Sequence, residues 1–240
     1  MTWQREIEHL LQKAGGKVSC IVQGDLQFEY GANVVHRAAS LIKLPILAAA
    51  LQQLDMSERV PCAALGKESG LAAAFSPEAA LLIEDICLLM MAVSDNAATN
   101  WLIERLGMPA LQREAASRGM VLGRRMLQSP AEAGGDNLCS ARQVAGLLAE
   151  MDSSPLRDSF YKPLLAQQLR QQLPGLLEYR DVVIANKTGS LQGVLHDAAR
   201  LQAGGKTVYI AVLMSELSDV AYAAYLQARI GQIVADQLEK

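Results

Sequence analysis

Several absences narrow the chemistry of this 240-residue chain before any motif is read. There is no basic excess: Lys and Arg number 22 against 25 Asp and Glu, a net charge of −3. Binding a phosphate backbone needs clustered Lys and Arg, so nucleic acid is not an expected partner. No stretch approaches the ~18–20 uncharged apolar residues of a membrane helix. The longest apolar run, Ile83 to Val93, is broken by Glu84 and Asp85. The opening MTWQREIEHLLQKAGG is charged throughout and has no apolar signal core. As written, the sequence predicts a cytoplasmic protein, and a periplasmic or secreted one if a leader is removed. Disorder is excluded from the other side: 51% of residues are hydrophobic and 20% charged.

The four cysteines (Cys20, Cys62, Cys87, Cys139) form no C-x-x-C pair, and the three histidines are scattered. Neither pattern offers a metal site. The cysteines read as small buried thiols, and no cofactor is expected. There is no internal repeat, and nothing in the chain fixes an oligomeric state.

What is present is an order of elements. A first helix spans about residues 2–14, followed by strands at 17–23 and 26–30 around Gly24-Asp25. A buried helix runs from residue 40 to about 55. The stretch from 77 to about 122 reads as nearly all helical, 123–138 as a long loop, and 140–152 and 156–172 as helices. Strands follow at 181–188, 195–203 and 206–214, with a last amphipathic helix from about 219. Strands at both ends can pair into one antiparallel sheet, with the middle helices inserted. The fold class predicted is α/β, an α+β sandwich: one unit of residues 1–240, an α/β lobe of 1–39 and 175–240, and an all-α lobe of 40–174. A site is expected between the lobes.

The segment Ala38-Ala39-Ser40-Leu41-Ile42-Lys43-Leu44-Pro45 carries the first chemical signal. Positions i and i+3 of a helix share a face, so Ser40 and Lys43 lie side by side. Pro45 is tolerated only near a helix start, which places Ser40 at the positive end of the helix dipole. Burial among Ile42, Leu44, Ile46 and Leu47 lowers the Lys43 pKa. A neutral amine there can take the proton of Ser40 and turn a weak hydroxyl into a nucleophile. The tetrad alone is weak, since Ser159-Phe160-Tyr161-Lys162 repeats it with no role assigned.

Two further motifs follow in order: Ser94-Asp95-Asn96 after the apolar run, and Lys187-Thr188-Gly189-Ser190 on a predicted strand. With S-x-x-K first, this set resembles the class A β-lactamases and penicillin-binding proteins. SDNAATNWLIERLG and KTGSLQGVLHDAARL resemble that family's flanking segments, and the likeness covers roughly residues 17–238. The resemblance implies a β-lactamase/transpeptidase-like fold and an active-site serine hydrolase acting on a β-lactam or related amide or ester. Ser94 would relay a proton between Lys43 and the leaving nitrogen. Asn96 would bind a substrate amide, and Asp95 would hold the loop. Lys187 and Thr188 would take a substrate carboxylate, and Gly189 would let ligand approach. The N–H groups of Ser40 and Ser190 would form an oxyanion hole.

The chain departs from the family in one place. Class A enzymes carry a loop glutamate followed by proline, with an asparagine four residues on. Here Glu132 is followed by Ala133, and Asn137 lies too far along. Glu132 is therefore a weak candidate for the deacylating base, and slow release of the acyl group is the favoured expectation. Two alternatives stay open from sequence: a cytosolic esterase, peptidase or penicillin-binding-like protein on the same fold, and a non-catalytic binding module. His196-Asp197 does not suggest a triad with Ser40, because neighbours on a strand face opposite ways.

Overall fold

Thr2 caps the first helix by accepting the Arg5 N–H, and Ile7 and Leu11, one turn apart, bury its inner face. The computed structural model describes residues 2–66 and 70–240. In chain order the elements are α1 (Trp3–Lys13), β1 (Lys17–Gly24), β2 (Phe28–Tyr30), β3 (Val35–Arg37), α2 (Lys43–Gln53), β4 (Arg59–Pro61) and β5 (Ala80–Leu82). Helices α3 (Ile83–Ala92), α4 (Asn96–Leu106), α5 (Met108–Ser117) and the single turn α6 (Pro130–Ala133) follow. The chain closes with β6 (Leu138–Ser140), α7 (Ala141–Asp152), α8 (Arg157–Leu165), β7 (Val183–Leu191), β8 (Val194–Ala203), β9 (Lys206–Ser215) and α9 (Val220–Leu238).

Five strands form one antiparallel sheet in the order β2-β1-β9-β8-β7, so both ends of the chain meet in it as the sequence predicts. The period-2 alternation of β8 sorts its side chains. Leu195, Asp197, Ala199 and Leu201 face one way, and His196, Ala198 and Arg200 face the other. The first face packs on α1 and α9 through Ile7, Leu11, Leu226, Ile230 and Val234. The second carries Ala185, Ala198 and Ala211, small enough for helices to approach, and joins a core built from α2, α3, α4, α7 and α8. Helix α2 is apolar on nearly every side and buried from Lys43 to Ala50, the pattern of a central helix. Two small ribbons, β3–β6 and β4–β5, tie the connections down.

Some boundaries differ from the sequence reading. The helix expected from residue 40 opens as a 3₁₀ turn, Ala39–Ile42, and becomes α-helical only at Lys43. The helix expected to reach 172 stops at Leu165. There Gln167 donates to Met91 O, Gln168 N–H donates to Ala92 O, and Gln172 donates to His196 O, so tertiary bonds override the helical preference of a glutamine-rich stretch. Between 77 and 122, strand β5 and breaks at Val93–Asp95 and Gly107 interrupt the helices. The loop 123–138 holds the one-turn α6. All four cysteines are buried free thiols. Among the described residues, no helix is long and apolar enough to cross a membrane, and no cluster of three or more His, Cys, Asp or Glu is placed to hold a metal.

Candidate active site

The chain reaches Ser40 from β3. Ala38 N–H donates to Asn137 O at 2.7 Å, and Leu41 N–H closes back on Ala38 O at 3.0 Å. Ala39, between them, has φ +47, a left-handed conformation unusual for a residue with a side chain. This tight turn buries Ala39, Leu41 and Ile42 and leaves Ser40 partly exposed. Lys43 then begins α2, fully buried.

The Lys43 side-chain nitrogen is directed at the Ser94 segment. Its Nζ donates to Ser94 O at 2.7 Å, to Asn96 Oδ1 at 2.9 Å and to Ser94 Oγ at 3.1 Å. Ser94 has φ +58, so the backbone between α3 and α4 is bent sharply where it meets the lysine. Lys187 arrives from β7 and donates to the same Ser94 Oγ at 3.1 Å and to Thr188 O at 2.8 Å. Three segments far apart in sequence thus meet at one hydroxyl. Among the described residues no hydrogen bond joins Ser40 Oγ to Lys43; such contacts often tighten only when substrate is bound.

Burial holds the Lys43 pKa well below 10.5, and the nearby Lys187 charge lowers it further, while Asp95 opposes both. Burial likewise pushes Lys187 down to about 7, against the pull of Asp197. Two lysines around one hydroxyl cannot both hold a full charge comfortably. An uncharged Lys43 amine in this setting can accept a proton, and Ser94 Oγ can pass one on.

Asp95 does not enter this exchange. It caps α4 by accepting Ala98 N–H at 2.9 Å, and its other oxygen accepts Ala72 N–H at 2.9 Å. The edge strand β7 lines the other side. A methyl group at Gly189 would sit 3.3 Å from Ser40 N and from Ala38 O, a crowded approach, so glycine lets the strand lie this close to the turn without displacing it. Thr188 is buried and Ser190 exposed. The N–H of Ser40 lies against Gly189, next in chain to Ser190.

Glu132 takes no part in this cluster. It is exposed, and its carboxylate accepts the Ser129 N–H that starts its own short helix; hydrogen bonding to the Ser129 side chain, and then to that N–H, lowers its pKa. The loop it belongs to is pinned elsewhere. Asn137 Oδ1 accepts Gly123 and Arg124 N–H, and Asn100 clasps Met126 by accepting its N–H and donating to its carbonyl. Asp136 takes ion pairs from Arg37 and Arg124, both at 2.6 Å. Sequence reasoning did not find these asparagine clamps, because a polar residue in a loop carries no mark of its partner. It excluded His196 and Asp197 from a triad with Ser40 and did not name their partners. Asp197 is fully buried, accepts Asn186 Nδ2 and Leu173 N–H, and is pushed up to about 7 by burial. His196 is treated below.

The fold and the serine–lysine cluster define a class, the active-site serine hydrolases with two lysines around a second serine. The β-lactamase enzyme family model matches residues 2–238, and the chain belongs to that family. Three solved structures share the fold. A β-lactamase from Sphaerobacter thermophilus is 23% identical, with 99% of this chain and 98% of that one covered and a TM-score of 0.85. A class A β-lactamase from Bacteroides cellulosilyticus is 22% identical, with 99% of each chain covered and a TM-score of 0.85. The protein PBP-A is 23% identical, with 98% and 95% covered and a TM-score of 0.83. A search of curated protein sequences gives no match.

Proposed function

We propose that this chain is a serine hydrolase acylated at Ser40 by β-lactams or chemically similar amides and esters, and that the acyl group leaves slowly. The observation that carries this reading is the shared contact of Lys43 and Lys187 with Ser94 Oγ, beside the turn that presents Ser40. Lys43, as a free amine, takes the Ser40 proton while Ser40 Oγ bonds to the lactam carbonyl carbon. The N–H groups of Ser40 and Ser190 hold the oxyanion. As the C–N bond breaks, Ser94 gives its proton to the leaving nitrogen and regains one from Lys43. Lys187 and Thr188 attract a substrate carboxylate, and Asn96 orients the amide side chain. Water then releases the acyl group. With Glu132 turned to its own helix, that step lacks a dedicated carboxylate base.

A time course with a fluorescent penicillin tests both halves. The expected record is covalent label on the parent chain, released slowly, and no label on Ser40→Ala, a loss on the order of 10³–10⁶ in rate. Label that persists on Ser40→Ala would end this reading. Rapid turnover of a chromogenic cephalosporin would leave acylation standing and remove slow release. Faster turnover of a p-nitrophenyl ester than of the cephalosporin would favour an esterase on the same fold.

A further inference from the structure

We infer that His196 is a positioning residue for the nucleophile: its imidazole grips the Arg37 carbonyl and thereby sets the turn that presents Ser40. The inference rests on the hydrolase reading above for its assay.

The tautomer of His196 follows from its partners. Met214 N–H lies 3.1 Å from Nδ1, and a backbone N–H can only donate, so Nδ1 carries no proton. The proton is therefore on Nε2, which donates to Arg37 O at 2.9 Å. Only a neutral imidazole satisfies both contacts, and burial keeps it so by lowering its pKa to about 4.

Arg37 is the last residue of β3, and the chain enters the Ser40 turn directly after it. The turn is gripped from two sides by one cross-strand pair. Gly189 and His196 are partners in the β7–β8 ladder. Gly189 lies against Ala38 O and Ser40 N, while His196 holds the carbonyl one residue earlier. A left-handed Ala39 does not hold itself, so its neighbours must impose it.

The ring has little freedom to turn away. His36, also on β3, packs edge-on against it with ring centres 5.6 Å apart. His36 is itself fixed between Ser19 Oγ at 2.6 Å and Ser215 Oγ at 2.8 Å. If the position needed only volume, an aromatic hydrocarbon would fill it. A ring with one donor and one acceptor, each matched, points to holding a backbone carbonyl in place. His196 itself does not touch substrate.

The test compares His196→Phe and His196→Gln with the parent, using the penicillin-concentration dependence of labelling to separate binding from maximal acylation rate. The expected result is a fall of about 10- to 100-fold in maximal rate for His196→Phe with half-saturation unchanged, since misplacing a nucleophile by about 1 Å has effects of that size. His196→Gln, which keeps a donor for Arg37 O, should recover most of the rate. Ile230→Ala, in the core on the far face of the sheet, serves as a control destabilised without touching the turn and should acylate like the parent. The inference is overturned if His196→Phe acylates at the parent rate, if Ile230→Ala slows equally, or if Gln is no better than Phe. Should His196→Phe not fold, His196→Gln against His196→Leu decides. Failure of the parent to label sinks the hydrolase reading alone, and a fluorophosphonate that reacts with any activated serine then reads the same variants.

Discussion

At the scale of single residues, the proposed acylation depends on which lysine carries a proton. Lys43 is buried, donates to Ser94 and Asn96, and feels the Lys187 charge. An amine that must be neutral to act gives an acid limb: acylation falls as pH drops through its folded pKa. Lys187 pushes that pKa down. Lys187→Met removes the charge and keeps an unbranched chain, so the Lys43 pKa should rise and the acid limb should move to higher pH. The same variant should raise the half-saturating concentration for substrates bearing a carboxylate more than for neutral esters. A pH profile of acylation on both substrate types checks this; an unmoved limb would mean that the two lysines do not share a field.

These residues were readable in advance only as types in order. Ser40, Lys43, Ser94, Asn96 and Lys187 carry distinctive chemistry at distinctive spacing, so the sequence names them. That Lys43 also bonds Asn96 Oδ1, at 2.9 Å, could not be read there, because a residue's type does not say which side chain its amine will meet. His196 and Asn137 matter through backbone groups of other segments, and nothing in a side chain's identity says which carbonyl or amide it will meet.

At the scale of elements, the start of α4 and the loop 123–138 each hold part of the site. Asp95 satisfies a free N–H at the α4 start and ties in residue 72 with its second oxygen. Asp95→Ala should lose the cap, about 0.5–2 kcal/mol, and more for the second buried bond. Asn96 and Ser94 flank it, so acylation should slow as well. Urea unfolding together with the labelling rate measures both, and a stability loss with labelling unchanged would show that the cap does not order the site. Asp136 does similar work for the loop. Burial raises its pKa, but hydrogen bonds from Arg37 and Arg124 outweigh that and hold it below 3.8. Its folded value is depressed, so its stabilisation is full at neutral pH and fades as pH falls through that value. Asp136→Asn should therefore lower stability at pH 7 by about 1.5–3 kcal/mol, with little difference from the parent at strongly acid pH. Denaturant midpoints across pH give the answer, and a pH-independent deficit would assign the loss to shape instead of charge.

At the scale of the whole molecule, the sheet and the helices above it must act as one body, since Ser40, Ser94 and Lys187 are delivered by different parts of it. The alternating pattern of the strands and the apolar α2 made the layers legible from sequence. The polar joint between them was not, because nothing in Asp152, Arg200 and Tyr209 as residue types says which partner each will meet. Arg200, on β8, reaches Asp152 at the end of α7 at 2.5 Å and lies 3.7 Å over the Tyr161 ring of α8. Tyr209, on β9, donates to the other Asp152 oxygen at 2.7 Å. The joint thus links two strands to two helices, with Arg200 buried and Asp152 and Tyr209 partly so, and the more exposed Arg157 adds a third contact at 2.9 Å. Removing one partner from such a pair leaves the other buried with its charge poorly matched, a loss of about 3–5 kcal/mol when burial is complete. Asp152 keeps Arg157 and Tyr209, so Arg200→Met should fall at or below the lower end of that range. Because the joint spans both layers, the variant should lower the denaturation midpoint and keep one transition, with tryptophan fluorescence (Trp3 on α1, Trp101 on α4) and circular dichroism coinciding. Separation of the two signals in Arg200→Met alone would mean that this joint, more than the shared apolar core, makes the layers unfold together.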